Sequence, residues 1–192
     1  MKRSRVNAII READAFIKAH QFYLPPFAYW TPDDWRSKDE SVREIAERGL
    51  GWDITDFGQG RYDELGLCLF TIRNGDPANL KTGRGKIYAE KLLIVGENQI
   101  TPFHFHWVKT EDIINRGGGT LMIQLYNSTP DGGLADTDIT VSTDGMVRHL
   151  PAGAVVALGH GESITLPTGL YHKFWGEGGT VLVTEVLSLI HI

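Results

Sequence analysis

Disulfide chemistry is closed to this chain. Cys68 is the one cysteine in 192 residues, so no internal bridge can form, and a reducing compartment fits best. Its setting, Leu67-Cys-Leu-Phe70, reads as a core thiol rather than a reactive one. No apolar run reaches the length needed to cross a bilayer. The N-terminus carries Lys2, Arg3 and Arg5, but Val6-Asn-Ala-Ile-Ile10 is followed at once by Arg11, Glu12 and Asp14. A secretory signal needs a longer apolar stretch, so a cytoplasmic protein is expected, with no membrane partner. Basic excess is lacking as well: the formal net charge of −5 argues against nucleic acid or an anionic membrane as partner. Low-complexity linkers and solenoid repeats are also missing. With 42% hydrophobic and 22% charged residues, the chain fits a single unit able to bury a full core.

The first fifty residues read as helix. Ile9, Ile10, Ala13, Phe16 and Ile17 recur at helical spacing, with Arg11, Glu12, Asp14 and Lys18 on the other side. Pro25-Pro26 breaks this helix, and Thr31-Pro-Asp-Asp34 starts the next one. Thr31 serves there as cap, Pro32 opens the first turn, and the acids face the positive end of the dipole. The second helix is expected to run through Val42, Ile45 and Ala46 and to stop at Gly49. Such helices could cover a sheet or form a dimer contact.

From Leu67 the texture changes to short strands and glycine-marked turns. Strands are expected at 67–72, 86–95, 99–107, 120–126, 138–141, 146–150, 155–158, 162–166, 171–175 and 180–186, with Gly117-Gly-Gly119 as a turn between two of them. Many short strands at close spacing predict a mainly β protein, an antiparallel barrel or jelly roll. The division expected is a helical segment over 1–66 and a β-barrel over 67–186, with 187–192 as a tail.

Within that β region, Thr101-Pro-Phe-His-Phe-His-Trp-Val-Lys-Thr-Glu111 concentrates chemistry. Side chains two apart on a strand point the same way, so His104 and His106 project together, opposite Phe103, Phe105 and Trp107. Glu111 follows five positions after His106, and two imidazoles with a carboxylate suit a divalent first-row metal. A fourth ligand is available in Leu166-Pro-Thr-Gly-Leu-Tyr-His172. His172 lies 66 residues beyond His106, on a strand that a jelly roll can bring alongside. His20, His149 and His160 have no ligand-like context. Gly117-Gly-Gly119 lacks the lysine and the strand-to-helix setting of a phosphate loop.

These two segments resemble the cupin superfamily. Its first motif is matched by His104, His106, Glu111 and Gly118, and its second by Gly161, Pro167, Gly169 and His172. Asn98 stands where the first motif often has glycine, and Gly176 where the second often ends in asparagine. A narrower resemblance covers most of the chain. Pro102-Phe-His-Phe-His-Trp-Val-Lys-Thr-Glu-Asp-Ile-Ile-Asn-Arg-Gly-Gly-Gly119, Gly51-Trp-Asp-Ile-Thr-Asp-Phe-Gly58 and Tyr88-Ala-Glu-Lys91 are similar to the bacterial D-lyxose ketol-isomerases. That resemblance implies a cupin jelly-roll barrel with N-terminal α-helices. It also implies a divalent metal, typically manganese, on His104, His106, Glu111 and His172, with Lys109 and Glu185 as the catalytic pair. The implied activity interconverts D-lyxose and D-xylulose, and D-mannose and D-fructose, in a homodimer.

The residue types fit aldose–ketose isomerisation, which moves hydrogen between C1 and C2 while the carbonyl changes place. A six-coordinate ion with four protein ligands keeps room for two sugar oxygens and can stabilise an enediolate. Glu185 alternates with Val181 and Val183 in Thr180-Val-Leu-Val-Thr-Glu-Val186, so desolvation should raise its pKa towards a range useful for proton transfer. Lys109, three residues past His106, could donate a proton or stabilise negative charge. An iron-dependent cupin dioxygenase and a sugar-binding cupin without turnover are the rival readings. Leu187-Ser-Leu-Ile-His-Ile192 departs from the isomerase family and resembles a translated sequencing adapter. It is expected to be a non-native tail, and His191 is not counted as a ligand.

Overall fold

The computed structural model describes residues 1–188. Four α-helices occur among them: α1 (Arg3–Ala19), α2 (Pro32–Arg36), α3 (Arg43–Glu47) and α4 (Ala78–Thr82). The strands are β1 (Gly51–Thr55), β2 (Leu67–Asn74), β3 (Tyr88–Val95), β4 (Thr101–His104), β5 (Glu111–Ser128), β6 (Leu134–Ala135), β7 (Ile139–Thr143), β8 (Met146–Leu150), β9 (Val155–Leu158), β10 (Ser163–Leu166) and β11 (Leu170–Ser188). All are antiparallel to their ladder neighbours, in the order β1-β2-β3-β11-β5-β10-β7-β8, with β4 on β11 and β6 and β9 on β5. The fold is mainly β with N-terminal helices, as the cupin resemblance implies.

Two long strands organise the molecule. β5 and β11 pair along nearly their whole length, with register shifts around Glu177, Val181 and Val183. The expected turn at Gly117-Gly-Gly119 is instead a bend inside β5, and the two strands expected at 171–175 and 180–186 are one bent strand. Glycine permits this because the crossing backbones approach closely. Gly118 has φ +93°, and a Cβ there would drive into the Thr180 carbonyl oxygen. The folded β5–β11 ribbon thus takes part in two layers, pairing with β3 and β10 through one half and with β4 and β9 through the other.

Between the layers sits the main core, which includes Leu93, Val95, Ile113, Leu121, Ile123, Leu166, Phe174, Val181 and Val183. Strand alternation sends the intervening residues outward to a second core. There Cys68, Phe70, Leu92, Ile94 and Leu182 meet Ile9, Ala13 and Ile17 of α1. The long N-terminal helix therefore covers the sheet. Each large apolar side chain buried on this face contributes about 1.5–3 kcal/mol.

The second expected helix is divided. Thr31 and Asp34 form a capping box at the start of α2, but that helix ends at Arg36. Asp39 then caps a new turn by accepting from the Ser41 N–H at 2.9 Å, a local bond that competes with helix continuation. α3 closes as expected, with Gly49 at φ +59°. Within the segment read as helical, residues 51–55 form β1 and pair with β2. At the other end, Leu187 is buried and stays in the β11 ladder, and the Ser188 N–H donates to the Thr110 carbonyl at 2.9 Å. His191 and the rest of the proposed tail lie outside the described residues.

Candidate metal centre

The folded ribbon brings distant residues together. His172 and Glu185 are 13 positions apart on one strand, which if straight would separate them by about 43 Å. Both nevertheless line one cavity of about 110 Å³, together with His104, His106, Glu111 and Lys91, against Leu67, Leu69, Leu93, Ile113 and Phe174. At about 30 Å³ for each water-sized group, that space suits an ion and a few oxygen atoms.

The metal-binding nitrogens of His104, His106 and His172 all lie within 4.8 Å of one another. Donors on a common ion at about 2.1 Å are at most about 4.2 Å apart, so a small closure suffices to seat one. His104 and His172 are register partners on β4 and β11. Their ring Nδ1 atoms lie 2.8 Å from the Pro102 carbonyl and 3.0 Å from the Leu170 carbonyl. A carbonyl can only accept, so both rings carry their proton on Nδ1 and keep the Nε2 lone pair free. The Gly169 N–H donates to the His106 carbonyl at 2.9 Å, tying the two motif segments together.

Glu111 opens β5 and is 3% exposed. It stands outside the compact three-histidine set, yet its Oε1 is 2.9 Å from His106 Nε2 and its Oε2 is 3.8 Å from His172 Nε2. The Oε1 atom is buried without a hydrogen-bond partner, which is costly unless something else satisfies it. An unpartnered carboxylate oxygen beside three converging imidazoles is the donor arrangement that a divalent cation completes. On that ground the four residues fit a metal.

Electrostatics agree. Burial pushes the His172 pKa down to about 4, with the His104 charge adding to the effect. Burial also lowers His104, against the pull of the Pro102 carbonyl. Both are therefore neutral at physiological pH, the form that binds metal. The two carboxylates are split. Burial opposes ionisation of Glu111, but the facing His106 ring, and after it His172, outweigh it and hold Glu111 well below the usual carboxylate range. Glu185 is raised by burial and then by the Glu111 charge, against the pull of Lys91.

Glu185 sits where alternation puts it, on the face of Val181 and Val183. Its partner is Lys91, whose Nζ lies 3.2 and 3.4 Å from its two carboxylate oxygens. Lys109 lies half-buried between β4 and β5 and is not among the residues lining the cavity. Two bonds between Thr110 and Ser188 hold its segment against the end of β11, the Ser188 N–H to the Thr110 carbonyl and the Thr110 N–H to Ser188 Oγ at 3.3 Å. Lys91 escaped the reading of single residues, although its signal was present: in Lys91-Leu-Leu-Ile-Val95 it alternates with the inward Leu93 and Val95.

The sequence model of D-lyxose isomerase matches residues 1–190. The chain belongs to the D-lyxose isomerase family. Among curated relatives, a D-lyxose/D-mannose isomerase of Escherichia coli O157:H7 is 46% identical over 192 residues, covering 98% of this chain and 84% of the relative. One from Serratia proteamaculans is also 46% identical, over 98% of this chain and 83% of the relative. The chain shares its fold with more distant solved structures. The L-ribose isomerase of Acinetobacter sp. DL28 in complex with L-ribose is 18% identical at a TM-score of 0.64, over 98% of this chain and 81% of that one. The L-ribose isomerase of Geodermatophilus obscurus is 18% identical at a TM-score of 0.62, over 98% and 84%.

Proposed function

We propose that this chain is a metal-dependent aldose–ketose isomerase that interconverts D-lyxose with D-xylulose, and D-mannose with D-fructose. The observation that carries the reading is the cavity: three imidazoles and an unpartnered, buried Glu111 oxygen facing a second buried acid, Glu185. Membership of the family and 46% identity to D-lyxose/D-mannose isomerases supply the sugars.

His104, His106, Glu111 and His172 would hold the ion, manganese being the expected one. When bound, the ion supplies Lewis-acid polarisation of the sugar carbonyl and a counter-charge for the enediolate oxygens. The chain's own residues handle the protons. Glu185, whose raised pKa suits reversible transfer, takes the proton from C2 of the aldose and returns it to C1. Lys109, on the segment tied to the end of β11, serves the oxygens by moving the hydroxyl proton from O2 to O1. The apolar wall of Leu67, Leu69, Leu93 and Phe174 keeps the reacting carbons in an apolar setting, where the electrostatic contacts of the site are strengthened. Among the described residues no helix is long and apolar enough to cross a membrane. A cytoplasmic homodimer completes the reading, in keeping with its single buried thiol.

The test is ketose formation from D-lyxose and D-mannose by chelator-stripped protein with and without added manganese. Manganese-dependent D-xylulose in deuterated water, with deuterium at C1, is the expected result. Product without deuterium would replace proton transfer by a hydride shift. Oxygen-dependent turnover with iron, or pentose binding without turnover, would refute the isomerase assignment.

A further inference from the structure

The Lys91–Glu185 pair asks for an explanation of its own. Lys91 and Glu185 are register partners on β3 and β11, and both point into the space between the layers. The lysine spans both oxygens of the carboxylate, at 3.2 and 3.4 Å. Its side chain is 22% exposed and that of Glu185 8%, so neither belongs to a solvated face. Stability alone is a poor reason for such a pair. A buried ion pair is often matched or bettered by apolar residues of similar volume, and the neighbouring inward residues Leu93, Val95, Val181 and Val183 are all apolar.

A second acid in the same cavity gives the reason. Glu111 also lines it and is assigned to the metal, so a Glu185 free to turn about its three rotatable bonds would swing toward the ion and away from the sugar carbons. A cation bridging both of its oxygens opposes the swing and fixes the plane of the group. We propose that Lys91 is a positioning residue for the reaction, holding the Glu185 carboxylate toward the sugar carbons. This rests on the isomerase reading above, with Glu185 as the base.

Lys91→Met and Lys91→Arg test it on the manganese-loaded protein with D-lyxose and with D-lyxose deuterated at C2. Misplacing a catalytic group by about 1 Å costs on the order of a hundredfold. Lys91→Met is therefore expected to lose about that much kcat, with KM within roughly threefold. Its primary isotope effect on kcat should rise as proton abstraction becomes rate-limiting. Metal content and unfolding midpoint should stay at wild-type values, and Lys91→Arg should recover most of the rate. If Lys91→Met does not fold, Lys91→Gln carries the same measurements. A rise in KM alone would overturn the proposal in favour of direct sugar contact. Loss of metal from both variants would overturn it in favour of support for the metal cage, and an unchanged kcat would overturn it outright. Failure of the wild-type protein to isomerise any aldose would remove the isomerase reading first, before any variant is made.

Discussion

The bend in the β5–β11 ribbon offers a perturbation whose size follows from two separate terms. Gly118 holds φ +93°, and its missing Cβ would occupy the space of the Thr180 carbonyl oxygen, which belongs to backbone and cannot rotate aside. Substitution by alanine therefore imposes backbone strain of about 1–3 kcal/mol and overpacking of another 1–3 kcal/mol or so. The expected destabilisation is about 2–6 kcal/mol, which in a domain of this size lowers Tm by roughly 5–20 °C. Gly178→Ala is the matched control. Gly178 has φ +72° with open space where a Cβ would go, so only the left-handed penalty of about 1–2 kcal/mol applies. Thermal unfolding of both variants beside the wild type, followed by far-ultraviolet circular dichroism, separates the terms. The bend also sets His172 relative to Glu111 and Glu185, so Gly118→Ala should bind manganese more weakly while Gly178→Ala should not. A Gly118→Ala protein that melts within 1–2 °C of Gly178→Ala would refute the close-approach argument.

Three further outcomes are expected. Glu111→Gln removes the ionised oxygen that faces His106 and His172, and should weaken manganese binding at least tenfold by metal titration; unchanged affinity would exclude Glu111 as a ligand. Burial pushes the Cys68 thiol up to about 12 from 9.0, with the Asp53 charge adding to it. At pH 8 that cuts the thiolate by about a thousandfold, so iodoacetamide should label the native protein only through opening, and readily in denaturant. Ile17→Ala, at a fully buried α1 position in the same core, should cost about 2–5 kcal/mol and speed Cys68 labelling by tenfold or more; equal labelling rates would mean that α1 does not shield the thiol.

Local patterns were the most legible part of this molecule. The pattern in Thr101–Trp107 marked both histidines for one site, although β4 ends at His104 and His106 reaches the site from just beyond it, and alternation put Glu185 inward. The capping chemistry of Thr31 and Asp34 was readable because both bonds span three residues. What escaped depends on distant pairing. Gly117-Gly-Gly119 and Gly178-Gly179 look like turn signals in one dimension. They serve as a bend because Gly118 and Gly119 lie against the backbone of Glu177, Gly179 and Thr180, a contact made across about sixty residues of sequence. The proximity of Lys91 and Glu185 needed the β3–β11 register, which no local signal sets. Asp39 broke the second helix through a side-chain bond that competes with helix propensity over a margin of about a kilocalorie per mole.

The place of β11 in the sheet has a consequence for biosynthesis. It lies between β3 and β5 and leaves the ribosome after every other described strand. Until it arrives, β3 and β5 each present an open edge flanked by Leu92, Leu93, Ile94 and Ile113, the kind of edge that recruits foreign strands. His172 and Glu185 arrive on that same last strand, so the metal cage cannot close before the sheet does. Metal capture would then mark completed folding, and a nascent chain stalled before residue 170 should be a chaperone client rather than a partly working enzyme.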